Sequence, residues 1–461
     1  MLPRHLPMTL AILLPLLVAG TEFQVGPGQS LTELEQVPWE ALAAGDTVQI
    51  HWREQPYRSK FVLCRQGTAE APIAVLGVPG PGGQRPVIDG RDAITRPELN
   101  YWGEERSVIK IGGANSPADT TPAHLVLAGL AIRSGRQPYF FQGRNGRTAY
   151  RRNAAAVMVE KGEHIVLRDL ELFDSGNGLF VSPASREVLV EGCHIHGNGV
   201  EGSIYEHNAH TQAKGITFQY NQFGPLRESC PGNNLKDRSA GLVVRYNWIE
   251  GGNRQLDVVD APEYADDPAY RTTYVYGNIL VERDHGGNRQ MVHYGGDSGK
   301  PTGYRQGMLY LYHNTLVSWR SDRTTLLRLS SPGEHADVRN NLVYTVAKGD
   351  SLEIVEGDGR LDLHGNWLPQ GWHATFGFSR SRGEATGAAD NLTGDQPGVV
   401  DPAEGDWHLR PDSPCRNAAQ PLPASIPAAY RPTRQWAGLG TWAERPDAGK
   451  DIGALGLAPI R

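Results

Sequence analysis

Between Gly232 and Ala261 the chain reads GNNLKDRSAGLVVRYNWIEGGNRQLDVVDA, which carries Lys236, Asp237, Arg238, Arg245, Glu250, Arg254, Asp257 and Asp260. Tyr205-Glu206-His207-Asn208 lie upstream and Met291-Val292-His293-Tyr294 downstream. This mixture of bases, cations and carboxylates suits removal of the C5 proton from a uronic acid. The resulting carbanion must spread its charge into the sugar carboxylate, so a cation has to neutralise that group. A nearby Lys, His or Arg must accept the proton. Lys236 is the first candidate base, because crowding by Arg238 would favour its neutral form. His207 and His293 come next. Arg238 or Arg254 would neutralise the carboxylate, and Asn208, Asn234, Tyr294 and Arg328 would contact substrate. Asp257 and Asp260 would hold Ca2+ or orient the base.

Structural roles stand beside each of these. Lys236 with Asp237 and Asp257 would also make an ion-pair network between coils. Either histidine would also serve as a satisfied buried residue. Asn233 and Asn234 are common turn formers.

Residues so far apart meet only if the chain repeats. Six segments, QYNQF, RYNWI, YGNIL, YHNTL, RNNLV and HGNWL, centre on Asn221, Asn247, Asn278, Asn314, Asn341 and Asn366. Their spacings are 26, 31, 36, 27 and 25 residues. Cys193 and Leu170 occupy the same slot upstream. One coil of a parallel β-helix, three short strands with turns, needs about this many residues. The sequence therefore predicts an all-β, single-stranded, right-handed parallel β-helix solenoid. Asparagine suits the corners, because it tolerates the left-handed conformation and can form an amide ladder.

Counting from each corner, His207 lies 14 residues beyond Cys193, Lys236 15 beyond Asn221 and Asp260 13 beyond Asn247. His293 lies 15 beyond Asn278, and Arg328 14 beyond Asn314. These five are expected to form one stripe across neighbouring coils. Insertions near 134–152, 261–271 and 295–306 would wall a groove. Tyr139, Phe140 and Phe141 in the first would stack on sugar rings or fill the core.

The run GNNLKDRSAGLVVRYNWIEGGNRQLD resembles a group of exported bacterial right-handed β-helix proteins with a pectate-lyase-like fold. The likeness extends from Pro38-Trp39 to the closing DIGA at 451–454. Asn234-Leu235-Lys236 is more distantly similar to chondroitinase B and the alginate lyases of that fold, where a Lys and an Arg on adjacent coils perform the elimination. Lys236 matches the Lys of that motif. At the place of the Arg the strand reads Leu256-Asp257-Val258-Val259-Asp260. The Asn-Thr-Asp and Gly-His-Gly motifs of polygalacturonases are absent from the sequence. The resemblance implies a lyase acting on a uronate-containing polysaccharide.

Composition narrows the alternatives. Of 461 residues, 39% are hydrophobic and 21% charged, which describes an ordered chain. A net charge of −6 argues against a general nucleic-acid partner. Arg4 and His5, the apolar run Leu10–Val18 and the small residues Ala19-Gly20 read as a secretory signal cleaved near Gly20. No membrane span is expected, and the mature protein would be a secreted or periplasmic monomer. Residues 21–388 would form the β-helix. The Pro-, Ala- and Gly-rich segment 389–461 would cap its end. A glycoside hydrolase using Glu206 with Asp257 or Asp260 is a second reading. A non-catalytic glycan-binding protein is a third.

Overall fold

The computed structural model describes residues 20–376 and 382–458. The proposed export signal, apart from Gly20, lies outside the described residues. Strands stack as parallel neighbours in register, coil upon coil, giving the all-β, right-handed parallel β-helix that the repeat implies. One coil contains Trp248–Glu250, Leu256–Val258 and Thr272–Tyr276, and the next contains Ile279–Glu282, Gln290–Tyr294 and Met308–Tyr312. Trp248 pairs with Ile279, Asp257 with His293 and Tyr274 with Tyr310. Side chains alternate across each strand. Leu256 and Val258 are fully buried inside the coil, so Asp257 between them points outward.

The asparagines align at one corner, and each is fully buried from Asn221 to Asn366. The backbone N–H and the side-chain amide of Asn221 both donate to Oδ1 of Asn247, at 2.9 Å. The same double contact repeats up to Asn366, which donates to Asn391 at 2.9–3.0 Å. Cys193 begins the ladder by donating its N–H to Asn221. The left-handed residue is the one before each asparagine: Tyr220, Tyr246, Gly277, His313, Asn340 and Gly365 all have φ between 50° and 67°. The ladder asparagines themselves are not left-handed, so the expected corner conformation falls one residue earlier. All four cysteines are buried and unpaired.

The C-terminal segment departs from the expected cap. Coil stacking continues through Leu392–Gly394, which pairs with Trp367–Pro369. The chain then turns back along the flank of the stack. Tyr430 packs on Tyr274 at 4.6 Å and Trp442 on Tyr220 at 6.4 Å. Gln420 N–H bonds Asn340 Oδ1 at 2.8 Å, and Ala454 N–H bonds Thr315 Oγ1 at 3.0 Å. The physical reason is a stack of outward tyrosines at Tyr220, Tyr246, Tyr276 and Tyr312, which Ile426 and its neighbours bury. Among the described residues no helix is long and apolar enough to cross a membrane.

Asn278→Ala strips the acceptor from both donors of Asn247. Two orphaned buried donors are expected to cost roughly 2–4 kcal/mol, read from the urea unfolding midpoint. Asn391→Ala removes the acceptor from both donors of Asn366 at the partly exposed end of the ladder, where water can take its place, and should cost less than Asn278→Ala.

Candidate active site

The outward residues of one strand stack form a charged column. Register pairs His210 with Lys236, Lys236 with Asp257, Asp257 with His293, His293 with Arg328 and Arg328 with Glu356. Lys236, His293 and Arg328 thus stand in the expected stripe. His207 and Asp260 do not; His210 and Asp257, each three residues away, hold those slots. Counting from the corners misplaced them because the connections before and after each strand differ in length from coil to coil.

The charges around the column alternate in sign. Lys236 Nζ donates to Asp257 Oδ2 at 2.7 Å and to Asp297 Oδ2 at 2.5 Å. Arg238 donates to Asp297 Oδ1 at 3.0 Å and to the Asp260 carbonyl at 2.5 Å. Arg238 therefore meets Lys236 through a shared carboxylate. Arg254 lies 3.6 Å from Asp257 and donates to Gln290 at 2.6 Å. His293 Nδ1 meets Asp257 Oδ1 at 2.8 Å, and its Nε2 meets Ser330 Oγ at 2.7 Å. Burial opposes ionisation of Asp257, but the His293 hydrogen bond and the charges of Lys236 and Arg254 hold its carboxyl far below the ordinary range. Burial likewise opposes ionisation of Asp297, and Lys236 and Arg238 bring it to about 2. Burial lowers His293, with Asp257 partly compensating.

This donor set does not fit Ca2+. Both oxygens of Asp257 already accept, from Lys236, Asn233 and His293, and Arg254 stands beside them. Asp260 Oδ1 accepts from the Asp297 N–H at 2.8 Å and faces Arg238. Asp260 Oδ2 has no hydrogen-bond partner among the described residues, but one free carboxylate oxygen beside Arg238 falls short of the six or more that Ca2+ takes.

A pocket of about 490 Å³ opens at the His210–Lys236 end of the column. Its floor is His207, His210, Lys236 and Arg238, and its walls include Tyr205, Glu206 and Asp297. Tyr205 stands 73% exposed on the rim. His207 accepts the Asn233 N–H through Nδ1 at 2.9 Å, which fixes that ring. Burial and the neighbouring His210 keep His207 well below its usual value. His210 packs edge-on against His207 and Phe180, at 5.2 and 5.3 Å. Burial, with Lys236 and Arg238 nearby, pushes His210 down to about 3. Among the described residues its ring nitrogens have no hydrogen-bond partner.

Other expected substrate contacts are structural. Asn208 and Asn234 are fully buried in a second amide ladder, Asn198 to Asn208 at 3.0 Å and Asn208 to Asn234 at 2.7 Å. Tyr294 faces the coil interior, two residues after Val292 on the same side of its strand. Phe141 is core, packed beside Tyr150 under Lys60, whereas Phe140 lies half-exposed beneath Arg147. Arg328 remains partly exposed on the column, 3.5 Å from Glu356. Two residues of the pocket were missed. His210 lies three residues after His207 and was hidden by corner counting. Asp297 sits in the 295–306 insertion, whose composition carries no signal for its contact with Lys236.

The fold and the column together define a parallel β-helix protein with a charged outer groove. No family model matches the chain, and no curated protein matches it. Among solved structures, pectate lyase Pel9A aligns at 9% identity over 95% of this chain and 97% of that one, with a TM-score of 0.45. An alginate lyase from Paenibacillus sp. str. FPU-7 aligns at 13% identity over 68% and 93%, with a TM-score of 0.39. A GH136 lacto-N-biosidase from Eubacterium ramulus aligns at 12% identity over 82% and 68%, with a TM-score of 0.41. Likenesses at this level bear on no individual site residue.

Asp257→Ala is expected to destabilise by about 3 kcal/mol, because it takes the carboxylate from Arg254 and His293 and leaves Lys236 with Asp297 alone. Asp297→Ala, whose side chain is 35% exposed, should change stability by less than about 1 kcal/mol. Both are read from denaturant midpoints. A third expectation concerns acid. Folded His210 stays neutral to about pH 3, whereas the unfolded residue binds a proton below about 6.5. Stability therefore falls as pH drops through that window. His210→Gln should flatten the slope by up to about one proton, measured by urea unfolding between pH 4 and 7.

Proposed function

We propose that this protein binds an acidic polysaccharide along the charged column and cleaves it by β-elimination in the His210–Lys236–Arg238 pocket. The observation that carries this reading is the seat of Asp297. Its carboxylate lies between Lys236 and Arg238, one oxygen to each cation, on the pocket wall. A uronate carboxylate entering the pocket would take the same seat and displace Asp297. Lys236 and Arg238 then neutralise the charge that develops when the C5 proton leaves. Lys236 acts here as carboxylate binder, and His210 as base, since its ring is neutral and its nitrogens are unengaged. The incoming carboxylate takes over the place of Asp297 beside His210, so the cations Lys236 and Arg238 stay compensated while His210 faces the sugar. The C5–H and C4–O bonds break, the C4–C5 double bond forms, His210 takes the proton, and the leaving oxygen is protonated from solvent past Tyr205. His293, held by Asp257 and Ser330, fixes the middle of the column. Export by the N-terminal signal and action as a monomer outside the cytoplasm belong to the same proposal.

The test is ultraviolet absorbance of unsaturated uronate over a panel of alginate, pectate, chondroitin and hyaluronan. His210→Ala should lower kcat by about 10²–10⁴-fold, and Arg238→Ala should cost a comparable factor in kcat/KM. Asp297→Ala should lower KM, because substrate no longer displaces an internal carboxylate. Absence of unsaturated product across the panel would overturn the proposal. A hydrolytic reading is favoured by one feature: Glu206 lines the same pocket with Oε2 lacking any hydrogen-bond partner among the described residues. New reducing ends without unsaturation would select it.

A further inference from the structure

Away from the groove, on another sheet of the coil, two consecutive rungs place three metal-ligating side chains together. Strand Glu171–Phe173 pairs in parallel with His194–Ile195, with Glu171 opposite His194. Leu172 and Ile195 are fully buried, so Glu171, Phe173, His194 and His196 all point outward. The pleat thus puts a carboxylate and a phenyl ring on one rung above two imidazoles on the next.

The two imidazoles stack face to face with ring centres 3.9 Å apart. His196 also lies parallel to Phe173, at 5.4 Å and 6°. Held between two rings, its plane is fixed. Its Nε2 points at Glu171 Oε1, 3.2 Å away. One donor atom from each of Glu171, His194 and His196 can be chosen so that all three lie within 4.8 Å of one another. All three residues are half-buried, so water reaches them. The nearby cation Arg85 is neutralised by Asp169 at 2.5 Å.

We infer that Glu171, His194 and His196 form a binding site for a first-row divalent cation of the Zn2+ class. Zinc bound to imidazole nitrogen and carboxylate oxygen at about 2.0–2.2 Å needs its donors roughly 3.4 Å apart. The Glu171–His196 pair already meets that separation, and a torsional adjustment of His194 closes the remainder. Two imidazoles select against Ca2+ and Mg2+, which take oxygen donors. Three protein ligands leave a coordination position for water. The contact now made as a hydrogen bond between Glu171 and His196 is replaced by two bonds to one ion. Phe173 and the underlying ladder hold the His196 ring in place before the ion arrives.

The experiment uses untagged, chelator-treated full-length protein titrated with Zn2+ by calorimetry, with Ca2+ and Mg2+ in parallel. One Zn2+ per chain is expected, with no comparable heat from the other two ions. His194→Gln, His196→Gln and Glu171→Gln should each weaken binding by at least about tenfold. Each should also abolish the rise in Tm that Zn2+ gives the parent, while the metal-free Tm stays close to the parent's. His124→Gln, from a second stacked histidine pair among the described residues, should leave binding unchanged. Co2+ substitution should give a visible spectrum of nitrogen–oxygen ligation that the three variants lose. Absence of stoichiometric Zn2+ binding would overturn the inference. So would binding that survives all three substitutions, or binding that disappears with His124.

Discussion

Every neighbour relation in this protein rests on backbone hydrogen bonding between successive coils, held in register by buried amides at one corner. A parallel ladder alone tolerates slippage, because one pair of extended strands looks much like another. The asparagine column removes that freedom. Each side chain accepts two hydrogen bonds from the rung below while its own amide donates to the rung above and to buried carbonyls, as Asn278 does toward Asn314, Val244 and Tyr276. A shift by one residue would strand these groups inside the protein at a cost of several kcal/mol. The register is thereby fixed at one corner and propagates to all three strands of the coil.

That register sets the electrostatics of the groove. Rungs stacked about 4.8 Å apart bring one outward side chain per coil into contact with the next. Like charges in such a column would repel strongly where water is excluded. The order Lys236, Asp257, His293 places a carboxylate between a cation and a titratable ring, and Asp297 and Asp260 complete the compensation from the flanking connections. The result is a partly buried network that is close to neutral yet rich in donors aimed at carboxylates. Asp297 differs from Asp257 in one respect that bears on function. It is more exposed and is carried on an insertion, so an incoming anion can replace it without unfolding a strand.

The C-terminal segment follows from the same geometry. Tyr220 and Tyr246 stand at successive corners, and Tyr276 and Tyr312 pair at the strand ends of the next two coils. Tyr220, Tyr246, Tyr276 and Tyr312 would leave a continuous apolar ridge in water, and the returning chain covers it. Burial of that aromatic surface holds the returning chain against the flank.

The sequence by itself determined the fold class, because a buried amide every 25 to 36 residues has few structural explanations. It also placed Lys236 and His293, each 15 residues beyond a corner asparagine, in one stripe, which Arg328 joins at 14 because its connection is one residue shorter. It did not determine the rest of the site. His210 rather than His207, and Asp257 rather than Asp260, face outward because the strand pleat decides orientation residue by residue. A connection longer by one residue reverses the face. Asn208 and Asn234 looked like ligands, and the pleat turned them into an interior ladder. The contact of Asp297 with Lys236, across 61 positions, and that of Glu171 with His196 on another sheet, came only from tertiary structure. Periodicity in a sequence specifies which residues repeat. Which of them touch depends on loop lengths and pleat phase, and these are settled only when the coils close on one another.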